Sequence, residues 1–259
     1  MRTLPESRRC AWLVLICCSL TACTSAPEQD IAYNQQGAAL SEEFLPSGAE
    51  ILTRMREVYS SCSSYADTCA YSVSLAPAGE PIPLWTQGTL TTRFVRGQAL
   101  RADASLGVNG QSSAGSQVLH SSEGHHVLVS TIGEQEPKRY EYKSLEYSVL
   151  ATSGMTGLWA APVQYVASLL VPAEFSESVL AQLTDLVTEA LEPVGDSWCL
   201  RVHGETPAQS SITLWIDRDS WLLRRLSRDD PLDDMHRRTT IEFHGRVGVD
   251  IPPGELAAP

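Results

Sequence analysis

Ile212-Thr213-Leu214-Trp215-Ile216-Asp217-Arg218-Asp219-Ser220-Trp221-Leu222-Leu223-Arg224-Arg225 sets two apolar runs on either side of a polar Asp-Arg-Asp-Ser break. Ile212, Leu214 and Ile216 recur at a period of two, the spacing of a half-buried strand. The break supplies the turn, so the stretch predicts a β-hairpin with strands over 212–217 and 222–227. The same period continues outward. It predicts strands over 185–192 and 198–203 before the hairpin, and over 239–244 and 247–251 after it. An earlier set reads the same way, over 69–75, 86–95, 99–104, 117–121, 126–132 and 138–144. Pro77-Ala78-Gly79, Arg96-Gly97-Gln98, Asn109-Gly110 and Glu123-Gly124 punctuate that set, and Gln111 to Gly115 reads as a polar loop. Short spacings with Gly-containing turns predict an antiparallel meander and not βαβ units.

Two stretches break the period. Ser47 with Glu50 three residues on forms a capping-box pattern. Ile51, Leu52, Met55, Val58, Tyr59 and Cys62 then recur at helical spacing, which predicts an amphipathic helix over 47–61. A second helix is predicted between Gly157 and Leu170, with Trp159, Val163, Val166, Ala167 and Leu170 on its apolar face. Pro162 falls in its first turns and Pro172 ends it. Residues 173–182 read as a third short helix. An antiparallel sheet of this length must curl, and the helices are the available filling. The expectation is one α+β domain over 47–252, its sheet wrapped around the helices, with a frayed tail over 253–259.

The amino terminus carries a different message. Arg8-Arg9 precedes an apolar run from Ala11 to Leu20, too short to span a bilayer, and small residues lead to Cys23. Leu20-Thr21-Ala22-Cys23 resembles the lipobox of bacterial lipoproteins. That resemblance implies a signal peptide over 1–22, a lipidated Cys23 and, because Thr24 and not Asp follows, delivery to the outer membrane facing the periplasm. Acyl chains add about 0.8 kcal/mol of membrane affinity per buried CH₂. Residues 24–46 are polar and read as a flexible tether.

The chain carries a net charge of −12, and loss of Arg2, Arg8, Arg9 and Glu6 with the signal would take it to −14. Such a chain is repelled by phosphate backbones, which argues against nucleic acid as a partner. Cys62, Cys69 and Cys199 remain in the domain. Export permits disulfides. Cys62 and Cys69 are near enough in sequence to bridge locally. A Cys69–Cys199 bridge would join two predicted strands, and it is the pairing expected.

Three segments carry a family resemblance. They are the first helix running into Tyr65-Ala-Asp-Thr-Cys-Ala70, the strand pair Thr92-Arg93-Phe94-Val95-Arg96-Gly97-Gln98-Ala99-Leu100-Arg101, and the 214–225 hairpin. With the element order, they resemble the outer-membrane lipoprotein-sorting superfamily of LolA, LolB and RseB. Gly97 stands where that family commonly has proline. The resemblance implies an incomplete β-barrel of about 11–12 strands closed by two or three helices. It also implies an apolar cavity that takes acyl chains or lipid-like molecules.

Nothing points to catalysis or a cofactor. There is no Gly-x-Ser-x-Gly elbow, His-Glu-x-x-His, phosphate loop or dinucleotide fingerprint. His125 and His126 on a strand would face opposite ways and cannot share a metal, and Gly124-His125-His126 reads as a polar turn. Asp229-Asp230 and Asp233-Asp234 read as a solvated loop, with weak divalent-cation binding as the other reading. Arg93, Arg96 and Arg101 read either as strand-surface cations paired with acids or as residues at the barrel mouth. There one would meet a lid-helix carbonyl or a ligand headgroup. Met55, Trp159 and Val163 read as cavity or lid residues, or else as core. The expected function is a non-enzymatic outer-membrane lipoprotein. It would bind a lipid, an acyl chain or a lipidated protein. The alternative is an RseB-like envelope sensor that binds a protein partner on its surface.

Overall fold

The computed structural model describes residues 45–77, 84–108, 111–122, 125–132, 136, 138–142, 161–175, 178–232 and 235–257. The expected signal peptide, Cys23, the expected tether up to residue 44 and Trp159 lie outside the described residues. Helix α1 spans Gly48–Ser61 and begins at the expected capping box. Glu50 N–H donates to Ser47 Oγ at 3.3 Å, while Ser47 N–H donates to Glu50 Oε2 at 2.9 Å. These bonds satisfy donors that a helix start leaves free. Ile51, Leu52, Met55 and Tyr59 form its buried stripe. Helix α2 spans Ala161–Leu170 and is apolar nearly all round, as a buried helix must be. No described helix is long and apolar enough to cross a membrane.

Twelve strands form one antiparallel sheet. The first meander comprises β1 (Ser64–Pro77), β2 (Leu84–Val95), β3 (Ala99–Val108), β4 (Gln111–Ser122), β5 (His125–Ile132) and β6 (Lys138–Tyr142). The second comprises β7 (Thr184–Val194), β8 (Ser197–Glu205), β9 (Ser211–Asp217), β10 (Leu223–Leu232) and β11 (Met235–Phe243). The spatial order is β6-β5-β4-β3-β2-β1-β11-β10-β9-β8-β7, and β12 (Arg246–Val247) pairs with the start of β1. The first and last long strands therefore meet at the centre, Tyr71 opposite Ile241. The chain runs out to β6, passes through α2, and restarts at the far edge with β7.

Buried side chains from β8, β9, β10, β11, β1, β2 and β3 join those of α1 and α2 in one core. Laid flat, those strands would span about 29 Å at about 4.8 Å per step, more than two helices of 10–12 Å diameter can cover. The sheet is accordingly curved around the helices, giving the expected α+β class. Edges β6 and β7 do not pair with each other among the described residues, so the barrel is incomplete.

The hairpin that anchors the reading forms as expected. Asp217 Oδ1 accepts from the N–H groups of Asp219 and Ser220, both at 2.9 Å, and fixes the turn. The turn forces Trp221 to φ 59°, a left-handed conformation uncommon for a bulky residue. Arg54 of α1 stacks 4.9 Å from its ring centre. At the β2–β3 turn Gly97 has φ 75°, which proline's ring forbids.

Four expectations are corrected. Gln111 to Gly115 is not a loop but the start of β4, because only Asn109-Gly110 separates Val108 from its partner Gln111. Backbone pairing alone extends the strand there, without an apolar pattern. Asp229 and Asp230 are not a solvated loop but lie within β10. The segment after α2 holds one 3-10 turn, Pro172–Glu174, and a further turn at 179–182 in place of a third α-helix. The tail does not fray at residue 253. Helix α3 (Pro253–Leu256) lays Leu256 over Ala99, and Glu255 pairs with Arg93 at 3.1 Å.

Candidate functional site

The concave face has two unlike halves. On β8 to β11 the inward residues are Leu200, Val202, Ile212, Leu214, Ile216, Leu226, Ile241 and Phe243, all 2% exposed or less. They clamp α1, whose Met55 and Tyr59 are fully buried, and Tyr59 Oη accepts from Leu223 N–H at 3.2 Å. On β2 and β3 the inward phase is Gly88, Leu90, Thr92, Phe94, Leu100, Ala102 and Ala104. Four of those seven positions are small. At Gly88 an added Cβ would lie 2.6 Å from Tyr71 Oη and 2.4 Å from Ser105 O, so the Tyr71 ring needs a glycine beneath it.

Helix α2 is held between two arginines. At its end, Arg96 Nη2 donates to Leu170 O at 3.0 Å and to Tyr59 O at 3.2 Å, while its Nε donates to Cys62 O at 2.9 Å. One guanidinium thus satisfies end carbonyls of both α1 and α2, which complements their negative dipole ends. Of the two partners expected for Arg96, the contact observed is the helix carbonyl. In the first half of α2, the Tyr165 hydroxyl accepts from Arg228 Nη1 at 3.3 Å.

Arg228 belongs to a cluster at one end of β10 and β11. Asp230, 3% exposed, receives Arg228 Nε at 2.6 Å, Arg237 Nη2 at 2.7 Å and the Ser210 hydroxyl at 2.6 Å. Burial works against the Asp230 carboxylate, but the Ser210 hydrogen bond and the two guanidinium groups outweigh it and lower its pKa. Sequence reading did not single out this cluster. The signal was present: Leu226, Arg228 and Asp230 share one phase of a strand, so the charges must point inward with the leucine.

Other expected site residues lie elsewhere. Arg93 is no cavity or lid residue. It is out of phase with Leu90, Thr92 and Phe94, and its guanidinium reaches Glu255 of α3 on the outer face. Arg101 also lies outside, paired with Asp103 at 2.8 Å. Both fit the reading of surface cations paired with acids. Met55 and Val163, 0% and 4% exposed, belong to the common core.

The Cys69–Cys199 bridge is absent, and Cys62, Cys69 and Cys199 are free thiols. Cys69 sits in the core opposite Phe243, whereas Cys199 is out of phase with Leu200 and Val202 and lies on the other face. Four strand steps separate their strands, while a disulfide needs Cα atoms within about 7 Å. Burial holds the Cys69 thiol well above its ordinary pKa, and burial followed by the Asp217 charge raises Cys199 to about 11. Neither is an activated nucleophile. His125 and His126 are consecutive in β5, and among the described residues no group of His, Cys, Asp and Glu could hold a metal ion.

No family model and no curated protein matches the sequence. Among solved structures the chain is similar to LprF from Mycobacterium bovis, at 10% identity and a TM-score of 0.48, over 82% of this chain and 97% of that one. It is similar to the Mycobacterium tuberculosis lipoprotein LppX at 13% identity and a TM-score of 0.38, over 75% and 94% of the two chains. It is also similar to Pseudomonas aeruginosa MucB, solved with MucA, at 14% identity and a TM-score of 0.42. That match covers 82% of this chain but only 61% of the MucB one. The architecture in hand, an open antiparallel sheet curved around its helices, is the one expected from the lipoprotein-sorting resemblance.

Proposed function

We propose that this protein is a periplasmic lipoprotein, held at the outer membrane by a lipidated Cys23. It binds an acyl chain, a lipid or a lipidated segment on the concave face beside α2. The observation that carries the reading is the floor of Thr92, Ala102 and Ala104 on β2 and β3, set against the large aliphatic residues that fill β8 to β11. Thr92, Ala102 and Ala104 are buried in the structure, the two alanines in one core with α2, so an apolar occupant would take the helix's place on this floor, its burial driving binding at about 25 cal/mol per Å². No catalytic step is part of the proposal. Native mass spectrometry of the full-length protein tests it. A co-purifying lipid, lost in Ala102→Phe, is the expected result. A mass free of non-covalent lipid, unchanged after incubation with phospholipids or an acylated peptide, would remove the reading. For the anchor, Cys23→Ala should move the protein from the membrane fraction to the soluble one.

A second reading rests on a separate observation. The outer face carries an open recess of about 550 Å³, lined by Ala70, Ser72, Gln87, Thr89, Thr240 and Glu242 among others. An open hollow on the outer face, rimmed by Gln87, Thr89, Thr240 and Glu242, suits a protein partner's loop. If no lipid is found, crosslinking from Gln87 in the cell envelope is the measurement that follows.

A further inference from the structure

We propose that Arg228 and Arg237, with Asp230 between them, form an anion site that receives the carboxylate or phosphate headgroup of the ligand beside α2. This rests on the apolar-ligand reading above and adds the charge of the ligand to it.

The position follows from strand phase. Along β10 the inward residues run Leu226, Arg228, Asp230; along β11, read toward the same end, they run Ile241, Thr239, Arg237. Both strands pass from aliphatic to charged at the same level, where the core ends. An amphiphile with its chain among the aliphatics would bring its head to that level.

The charge count is the second argument. Among the described residues, two guanidinium groups contact one carboxylate here, which leaves one of their positive charges unmatched in a chain of net charge −12. Arg228 and Arg237 side chains keep 20% and 36% of their exposure, so the excess charge is partly desolvated yet reachable. Arg228 is spent on Asp230, Tyr165 and Ser210. Among the described residues, Arg237 donates through its Nε and Nη2, both to Asp230 Oδ2. Its Nη1 group is left to meet a further acceptor, and a guanidinium favours planar carboxylate or phosphate oxygens. Arg228 also touches Tyr165 of α2, so a bound headgroup would act on the arginines that hold the helix.

The test uses the full-length protein in amphipol and three probes: decanoate, decan-1-ol and inorganic phosphate. Calorimetric titration should show decanoate binding about tenfold more tightly than the alcohol, the size of one charge-assisted hydrogen bond. Arg237→Gln should erase that preference and leave alcohol binding unchanged, because Asp230 keeps Arg228 and Ser210 as partners. Arg237→Lys, which keeps the charge without the planar fork, should retain part of it. If the preference survives Arg237→Gln, the headgroup site is overturned while the apolar-ligand reading stands. If neither decyl probe binds but phosphate does, and Arg237→Gln abolishes it, the anion site stands with a free anion as its ligand and the apolar reading falls. If no probe binds, both fall.

Discussion

The two halves of the concave face meet along the β1–β11 ladder and solve the same burial problem differently. On the β8–β11 side the inward positions are large and branched, and α1 completes the packing with Ile51, Leu52 and Met55. On the β2–β3 side the sheet presents Thr92, Ala102 and Ala104, and the apolar surface is concentrated on α2. A side chain on one half has its partner in the same sheet or in α1; on the other half the helix supplies the bulk. The filled half is packed by its own sheet and α1, whereas the small-residue floor is covered by the apolar helix α2.

That contrast can be broken most forcefully on the filled side. Leu214→Ala removes a fully buried aliphatic from β9. It should cost about 2–5 kcal/mol in denaturant unfolding, since a close-packed site collapses poorly around the void. Acid should act next on the same half. Burial alone would raise the Asp217 carboxyl. The bonds from Ser220, Ser197, Asp219 and Arg224 hold it down to about 2 instead. Because this folded value lies below the unfolded value of about 3.9, its stabilisation is complete above that pH and is lost as pH falls toward 2. The loss should be on the order of 2 kcal/mol. Asp217→Asn should flatten this part of the stability–pH curve. The smallest stability effect is expected on the other half. Ala102→Phe should shift the unfolding midpoint by the equivalent of about 1 kcal/mol, as mild overpacking does, yet abolish ligand retention. Equal stability losses at positions 102 and 214 would show that both halves are packed alike.

The sequence made some of this legible and some not. The capping box at Ser47, the hairpin at 212–225 and the apolar face of α2 all follow from local periodicity, and the structure has them. Gln111 to Gly115 did not announce a strand, because backbone pairing with β3 fixes it and its side chains carry no pattern. Asp230 was read as solvated from its composition, although its phase with Leu226 and its arginine partners determine its burial. The pairing of β1 with β11 has no local signature at all, since the two strands lie at opposite ends of the domain sequence. Cysteine pairing failed for a related reason: strand membership can be read, but which face a cysteine takes relative to a distant strand cannot.

The central ladder also sets an order of events. Residues 69–77 wait for residues 235–243 before they gain their second neighbour. A nascent chain therefore has two growing meanders with unsatisfied edges and no seam between them. Contacts of such long sequence separation form slowly. Synthesis must be almost complete before the domain can close, so the chain stays threadable until its last strands arrive. For the exported lipoprotein proposed above, that delay would keep the chain unfolded for passage through a membrane, with unpaired strand edges prone to aggregation in the meantime.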